Sequence, residues 1–358
     1  MNVRQSLADG PAGLALLHLE TGNWSAAQLE LHRATAGGVS IAAGTSLFYG
    51  APALAFVLSA TNHPGFAHAR AKLADGTAAV ARRRLDAAHR RIDRHLQAHY
   101  AEYDLIRGLT GIGVTLRQLG DHDLLRQILD YLVRLTEPIG ALPGWWCRNG
   151  PRRADHPPAG GCAYFGMAHG IAGPLALLAH TLRDGITVDD HTAAITRICQ
   201  WIDIWQQHTG NITWWPQTLT RAEYCAGTPA QQAPLRPSWC YGTPGIARAQ
   251  QLAALALHDT VRQLHAETTF TICVNDPAQS RCLIDRSLCH GTAGLLATAR
   301  RIAADALNPT PLTPIEDLHR QAPCLADEPT GFLDGTAGSD LAAQGTTTTS
   351  WDACLLLS

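Results

Sequence analysis

The sequence predicts an all-α protein, an α/α barrel of about fourteen helices in two concentric layers. Three observations favour this fold class. A short glycine pattern recurs seven times along the 358 residues, and each copy precedes an apolar helical run. Amphipathic helical segments lie between the copies. Strand signals are sparse. We therefore expect seven helix pairs closed into one ring.

The repeated pattern is a Gly, two further residues, a Gly or Ala, and then the apolar run. Its copies begin at Gly10, Gly50, Gly108, Gly170, Gly242, Gly291 and Gly335. Successive copies lie 40 to 72 residues apart, which leaves room for two helices and two loops each. Glycine fits where inner helices crowd around an axis, because it permits close backbone approach and positive φ. The second copy lacks its second glycine, and we expect an irregular turn there without a chemical role.

The two kinds of helical segment predict the two layers. Outer helices show one apolar stripe, as at Leu124, Ile128, Leu132 and Leu135. Residues 174–179 are apolar on more than one face, which is typical of an inner helix. Residues 213–216 and 269–274 read as short hairpin fragments, and segments 140–162 and 226–238 as long loops. The seven repeats leave no segment for a second domain, so residues 1–358 are expected to form a single domain.

Composition excludes several function classes. The 28 Lys and Arg residues against 30 Asp and Glu residues provide no surplus positive field for nucleic acid. No apolar stretch approaches 18 residues, so we expect neither a membrane span nor a signal peptide. Ten cysteines without a CxxC pair indicate free thiols in a reducing cytoplasm.

Potentially reactive side chains precede the first glycine in each copy. They are Asp9, Tyr49, Asp104, His169, Cys240, the pair Cys289 and His290, and Asp334. A barrel would gather them at one mouth. Single cysteines and histidines are usually packing residues, but equivalent positions of consecutive repeats are spatial neighbours. Two thiols and an imidazole suit Zn²⁺, and three protein ligands leave the fourth position open, as in catalytic zinc sites.

Four motifs in order carry a family resemblance. They are Asp104-Leu-Ile-Arg-Gly-Leu-Thr-Gly-Ile-Gly113, Gly166-Met-Ala-His-Gly170, Trp239-Cys-Tyr-Gly242 and Cys289-His-Gly291. This set resembles the signature of the lanthipeptide (lantibiotic) synthetase C family, the LanC-type cyclases. The similarity extends from Ser6 to the Ser350-Trp-Asp-Ala353 string.

The resemblance implies an α/α toroid with one zinc ion on Cys240, Cys289 and His290. It also implies a reaction, the intramolecular Michael-type addition of precursor-peptide cysteine thiols to dehydroalanine or dehydrobutyrine. The products are the thioether rings of lanthionine and methyllanthionine. Coordination to zinc deprotonates a thiol, and the thiolate is the reactive species.

The addition also requires proton transfer and stabilisation of an enolate. We expect His169 to act as general acid, with Asp104 orienting it. Arg236 and Tyr241 are expected to donate hydrogen bonds to the enolate oxygen. Structural alternatives exist for three of these residues: a satisfied histidine at a helix N-terminus for His169, an N-cap for Asp104 and an ion pair for Arg236.

The implied partners are a dehydrated precursor peptide, with leader and core, and a complex with a dehydratase and an exporter. We expect the protein to be cytoplasmic and to lie at the membrane only through its partners. We expect neither insertion into the membrane nor binding to nucleic acid. Some family members carry an extra β-rich domain, for which the 58 residues between Gly50 and Gly108 leave no room. Two alternatives are a non-catalytic zinc or thiol-binding scaffold and a glycosidase using Asp9, Asp104 and Asp334.

Overall fold

The computed structural model describes residues 3–150, 158–309, 311–324, 327–345 and 347–358. Within these ranges the α-helices are, in chain order, α1 (Pro11–Glu20), α2 (Trp24–Thr35), α3 (Ala51–Ser59), α4 (Ala67–Asp93), α5 (Tyr100–Tyr103), α6 (Leu109–Leu119), α7 (His122–Leu135), α8 (Ala172–Arg183), α9 (His191–Ile204), α10 (Arg221–Ala226), α11 (Thr243–Leu257), α12 (Thr260–Asn275), α13 (Pro277–Ser280), α14 (Thr292–Asp305), α15 (Thr313–Gln321) and α16 (Thr336–Ala343). The strands are β1 (Cys162–Tyr164), β2 (Gln207–Thr209), β3 (Ile212–Trp214) and β4 (Thr218–Thr220).

Seven helices form a closed inner ring, and each follows one copy of the glycine pattern. Helices α1, α3, α6, α8, α11, α14 and α16 contact one another in that order, and α16 returns to α1. Most of their side chains are buried, as in α3, where all residues but Ser59 are buried. The all-α barrel expected from the sequence is confirmed.

An outer layer covers six of the seven inner helices in the described residues. Helices α2, α4, α7, α9, α12 and α15 each pack on the inner helix that precedes them. In α7 the buried stripe includes Leu124, Ile128, Leu132 and Leu135, as expected. Helix α16 has no outer partner helix among the described residues, so the seventh pair is incomplete. The chain continues instead as a 3₁₀ helix, Trp351–Leu355, which contacts α6.

The glycine turns lie together at one end of the barrel, which we call the mouth. Backbone hydrogen bonds join them in a chain, each N–H donating to the carbonyl of a residue in a neighbouring turn. The bonds run from Leu105 to Ala168, Ala168 to Cys240, Cys240 to Cys289, Cys289 to Leu333 and Leu333 to Ala8, at 3.0–3.2 Å. The prediction that the repeats bring equivalent residues together is therefore confirmed.

Close backbone approach, rather than positive φ, explains most of these glycines. A Cβ added to Gly294 would lie 2.0 Å from the Leu288 carbonyl oxygen, and the second glycines of the other complete copies meet the same carbonyl six residues earlier. Among the first glycines only Gly50 takes a positive φ, +79°. The irregular turn expected in the second copy is thus present.

Two small antiparallel sheets lie in the loops between inner helices. Strand β1 pairs with β4, aligning Ala163 with Leu219, and β2 pairs with β3. The extended segment expected near residue 213 is part of β3. The prediction of a short hairpin fragment at 269–274 is wrong, because these residues lie in α12, where Phe270 and Cys273 are buried. Of the expected loop 140–162, residues 151–157 lie outside the described residues.

The last described segment seals the ring on the side of the inner-helix C-termini. Residues Trp351–Leu357 are buried, and the Trp239 indole N–H donates to the Leu355 carbonyl at 2.9 Å. The Arg248 guanidinium donates to the Leu357 carbonyl at 2.7 Å, and His180 Nε2 lies 3.3 Å from the Leu356 carbonyl. Because Trp239 precedes Cys240, this segment helps to fix the turn that carries Cys240.

We expect acid to weaken this seal. Burial, together with Arg117 and Arg248, holds the pKa of His180 well below its usual 6.5. The folded state therefore keeps His180 neutral, whereas the unfolded chain protonates it below about pH 6.5. The free energy of unfolding should fall as the pH drops below that point, by up to about 1.4 kcal/mol per pH unit for one such histidine.

Urea unfolding at pH 7, 6 and 5 measures this effect. His180→Gln should reduce the pH dependence, to which His191 and His319 also contribute, and the same change at His122, an exposed histidine in the first turn of α7, should leave it intact. An equal slope in the wild type and in His180→Gln would contradict the assignment.

Candidate metal centre

Two cysteines from adjacent turns form the base of the candidate site. Cys240 and Cys289 each lie two residues before the first glycine of their repeat. The Cys240 N–H donates to the Cys289 carbonyl at 3.2 Å, so the two backbones run side by side. Cys240 is buried and Cys289 is partly accessible from the mouth.

His290 completes a cluster of three possible metal ligands. The Cys240 and Cys289 sulfurs and one His290 ring nitrogen all lie within 4.8 Å of one another. In a tetrahedral zinc site with Zn–S bonds of about 2.3 Å, two sulfurs lie roughly 3.8 Å apart, so the three residues need only small movements to share an ion. Donor type and spacing fit Zn²⁺ with one position left for a further ligand.

The thiols of Cys240 and Cys289 differ in acidity. A hydrogen bond from Cys289, together with Ser238, Arg236 and His169, lowers the pKa of Cys240 to about 7 despite its burial. The same pairing and burial raise the pKa of Cys289. The cluster therefore releases its first proton readily, which favours binding of a cation.

Carboxylates lie beside both ring nitrogens of His290. Asp285 Oδ2 is 3.5 Å from Nε2, and Asp334 Oδ1 is 3.8 Å from Nδ1. Asp285 is fixed by the Ser287 N–H, which donates to Oδ1 at 2.9 Å. Whichever nitrogen faces a metal, a carboxylate can orient the other, as metal-bound histidines usually require. Sequence reasoning missed Asp285 because it lies outside the repeat register, whereas Asp334 lies within it.

His169 and Asp104 form a second, adjacent unit. His169 Nδ1 lies 2.5 Å from Asp104 Oδ2, and Asp104 is completely buried. The Arg107 N–H donates to Asp104 Oδ1 at 2.7 Å, so both carboxylate oxygens are satisfied. Because the carboxylate accepts the Nδ1 proton, Nε2 is the His169 atom left for proton exchange. Asp104 is the C-terminal cap of α5 rather than the N-cap considered from the sequence.

Two tyrosines flank the His169 ring. The ring centroids of Tyr100 and Tyr241 lie 5.6 and 6.1 Å from that of His169. The Tyr241 hydroxyl is buried and has no hydrogen-bonding partner among the described residues. Burial also raises the pKa of Tyr241, so the hydroxyl stays a donor. Tyr100 was missed from the sequence because it precedes the motif at Asp104.

Arg236 lies near both thiols. Its guanidinium is 3.8 Å from Asp285 Oδ2, and its positive charge contributes to the lowered pKa of Cys240. The ion pair considered from the sequence is therefore present, with Asp285 as partner. The side chain stays more than one-third exposed, so it can also reach a ligand in the mouth.

All seven predicted site residues thus meet at one mouth, and two other register residues do not join them. Burial raises the pKa of Asp334, and the negative charge of Asp9 adds to that increase, but Asp9 is not one of the three clustered ligand residues. Tyr49 forms backbone bridges with Ser6 and Ser46. The fold and this cluster define an α/α toroid protein with a candidate metal centre and an adjacent His169–Asp104 pair at its mouth.

Comparison with known proteins specifies the family. The sequence profile described as "Lanthionine synthetase C-like protein" matches residues 2–343. The chain therefore belongs to the lanthionine synthetase C-like family. It is 27 % identical over 204 residues to "Nisin biosynthesis protein NisC" of Lactococcus lactis subsp. lactis, an alignment that covers 54 % of this chain and 48 % of that protein. The chain thus spans about half the length of this curated relative.

A solved structure supports the fold. The structure named "Nisin cyclase" superposes with a TM-score of 0.83 over 99 % of this chain and 92 % of that one, at 21 % identity. The same ring of helices is therefore built by sequences that differ at most positions.

In the part of the chain that the structure describes, no helix is both long and apolar enough to span a membrane.

Proposed function

We propose that this protein is a zinc-dependent lanthipeptide cyclase. It adds cysteine thiols of a dehydrated precursor peptide to dehydroalanine or dehydrobutyrine in the same peptide, forming lanthionine and methyllanthionine rings. The observation that carries the proposal is the Cys240, Cys289 and His290 cluster beside the His169–Asp104 pair, at the mouth of a chain from this family.

Cys240, Cys289 and His290 are the residues that would hold the zinc ion. When bound, zinc supplies Lewis acidity that lowers the pKa of an incoming thiol and makes its thiolate available at neutral pH. Asp285 and Asp334 hold the His290 ring in position for this task.

The remaining steps fall to the neighbouring side chains. Attack of the substrate sulfur on the β-carbon forms the C–S bond and moves the alkene electrons into an enolate. His169 Nε2 then donates a proton to the α-carbon, and Asp104 stabilises the charged imidazolium before that transfer. The proton released by the substrate thiol restores His169, so the proton balance closes without another reactant.

Tyr241 and Arg236 lie where they can stabilise the enolate. The Tyr241 hydroxyl has no partner among the described residues, and the Arg236 guanidinium is partly exposed. Both groups can donate hydrogen bonds to the substrate carbonyl oxygen as it becomes negatively charged. Such preorganised donors contribute most when charge develops in the transition state.

Removing the Tyr241 hydroxyl tests this assignment. We expect Tyr241→Phe to keep the fold and zinc content and to lower kcat for ring formation by about 10- to 10²-fold, with KM little changed. A steady-state comparison using a dehydrated precursor measures both constants. Unchanged kcat would remove Tyr241 from the catalytic set.

The proposed substrate determines the partners and the location. The precursor must be dehydrated first, so we propose association with a dehydratase, and with an exporter that removes the product. All ten cysteines are unpaired in the structure, which suits a reducing cytoplasm.

Two alternative functions are separated by measurement. A non-catalytic scaffold would bind zinc and peptide without forming rings, and His169 would then have no effect on thiol chemistry. A glycosidase would not need the Cys240 and Cys289 thiols, and family membership favours the cyclase over it.

Counting free thiols tests the proposed function. We expect the zinc-loaded protein to reduce the number of alkylatable thiols in a dehydrated precursor, without changing the peptide mass before alkylation. Cys199→Ala, which removes a buried thiol in α9, serves as the matched control and should retain activity. If the wild-type protein caused no more thiol loss than occurs spontaneously without it, the cyclase function would be overturned and the non-catalytic scaffold would remain.

A further inference from the structure

An open apolar groove lies between the outer helices α2 and α4, with the inner helix α3 as its floor. We call it the α2–α4 groove. It has a volume of about 620 Å³. Its apolar lining includes Leu31, Val39, Ile41, Leu54, Leu58 and Phe66. Val39 is 38 % exposed and Ile41 49 %, so apolar surface faces solvent along the groove.

The ionisable groups of the groove are basic. Lys72 of α4 and His32 of α2 are the ionisable side chains among its described lining residues, and no carboxylate lines it. Lys72 is exposed and is the only lysine of the chain. An occupant with apolar anchors and acidic side chains would therefore match the groove in both hydrophobicity and charge.

The basic charge continues along α4. At 100° per residue, Lys72, Arg83 and Arg90 lie within about 20° of one another around the helix axis. Arg83 and Arg90 are exposed. Arg83 donates to the Ile41 carbonyl at 2.8 Å, which connects this row of basic residues to the loop that carries Ile41. Asp75, Asp86 and Asp93 occupy a row displaced by about 40–60°, on the side of α4 away from the groove. We call the first row the basic stripe.

The groove and the basic stripe lead toward the mouth. Helix α3 begins at Ala51, directly after the Gly50 turn at the mouth, and Ala51 lines one end of the groove. Helix α4 returns along α3, and the chain reaches Asp104 at the mouth shortly after α4 ends. Arg90 therefore lies toward the end of the molecule that carries the metal centre.

We propose that the α2–α4 groove binds an amphipathic helix with an acidic polar face, contributed by the part of the precursor peptide outside the residues that become rings. This inference rests on the proposed function for the source of the helix. Apolar side chains at i, i+3, i+4 and i+7 fill the groove, and the acidic face lies along the basic stripe. Binding there tethers the reacting segment near the mouth and raises its effective concentration at the metal centre.

Direct binding tests the groove without any activity measurement. The probe is a synthetic fluorescein-labelled helix with Leu at i, i+3, i+4 and i+7 and Glu at the polar positions that flank this apolar face. A second probe carries Lys in place of Glu. By fluorescence anisotropy we expect the Glu probe to bind at least about tenfold more tightly than the Lys probe. Carbodiimide coupling should join its carboxylates to Lys72.

Matched charge reversals locate the site. Lys72→Glu with Arg90→Glu should weaken binding of the Glu probe at least about tenfold. Arg82→Glu, an exposed residue of the same helix outside the basic stripe, should change binding less than about twofold. Ile41→Asp should weaken both probes, because it removes an apolar contact that they share.

Three results would overturn the proposal: equal binding of the two probes, binding unaffected by the double reversal and by Ile41→Asp, or concentration-dependent dimers that Ile41→Asp abolishes. The last would assign the groove to a second copy of the chain. Since these measurements need no ring formation, failure of the cyclase function and failure of the groove are distinguishable. If both hold, the double reversal should raise KM for the intact precursor and leave kcat unchanged.

Discussion

Replacing Cys289 with Ala is expected to abolish both zinc binding and ring formation. The change removes one of three ligand atoms that lie within 4.8 Å of one another and removes the hydrogen bond between Cys289 and the Cys240 thiol. Two protein ligands hold zinc far more weakly than three. We expect zinc to fall from about one per chain to near zero, and the rate of ring formation to fall at least about 10³-fold, or roughly 4 kcal/mol.

Metal analysis and thiol counting on the same preparation check this result. Cys199→Ala should keep both zinc and activity, since its thiol is buried in α9 outside the cluster. Circular dichroism establishes that Cys289→Ala is folded. A folded Cys289→Ala protein with full zinc content would show that the metal lies elsewhere.

Replacing His169 with Ala is expected to separate chemistry from metal binding. His169 contacts Asp104 rather than the ligand cluster, so zinc content should stay at the wild-type level. Loss of a general acid typically lowers rates by about 10²–10⁴-fold. We expect kcat for ring formation to fall in that range, with more variable stereochemistry where solvent delivers the proton.

Asp104→Asn is the companion variant. An amide at this position removes the negative charge that supports the imidazolium and permits the wrong ring tautomer. Its rate should fall less than that of His169→Ala, with an altered pH profile and unchanged zinc. A His169→Ala protein that forms rings at the wild-type rate would remove His169 as the acid.

The sequence predicted which residues would lie close together because their positions follow the repeat register. Cys240, Cys289 and Ala168 occupy equivalent positions, and the backbone hydrogen bonds between their turns convert that equivalence into contact. The seven inner helices follow from the same pattern. A single cysteine or histidine carried no such information.

What the sequence did not predict depends on contacts between segments without a shared pattern. Asp285 reaches His290 through the local turn around Ser287, and nothing in residue type or spacing marks it. After α16 the chain forms the buried seal Trp351–Leu357, which contacts His180 and Arg248, instead of the expected outer helix. Thr269 and its neighbours have β propensity, but packing of Phe270 and Cys273 on α11 favours the helix.

Zinc stoichiometry tests the central claim most directly, namely that the repeat register gathers Cys240, Cys289 and His290 into one metal centre. The 358-residue protein, purified without chelator, is analysed for bound metals before and after addition of zinc and removal of the excess. We predict about one zinc per chain in the wild type. We expect each of the single variants Cys240→Ala, Cys289→Ala and His290→Ala to lose it. Wild-type protein that holds no zinc even after zinc is supplied would contradict the account.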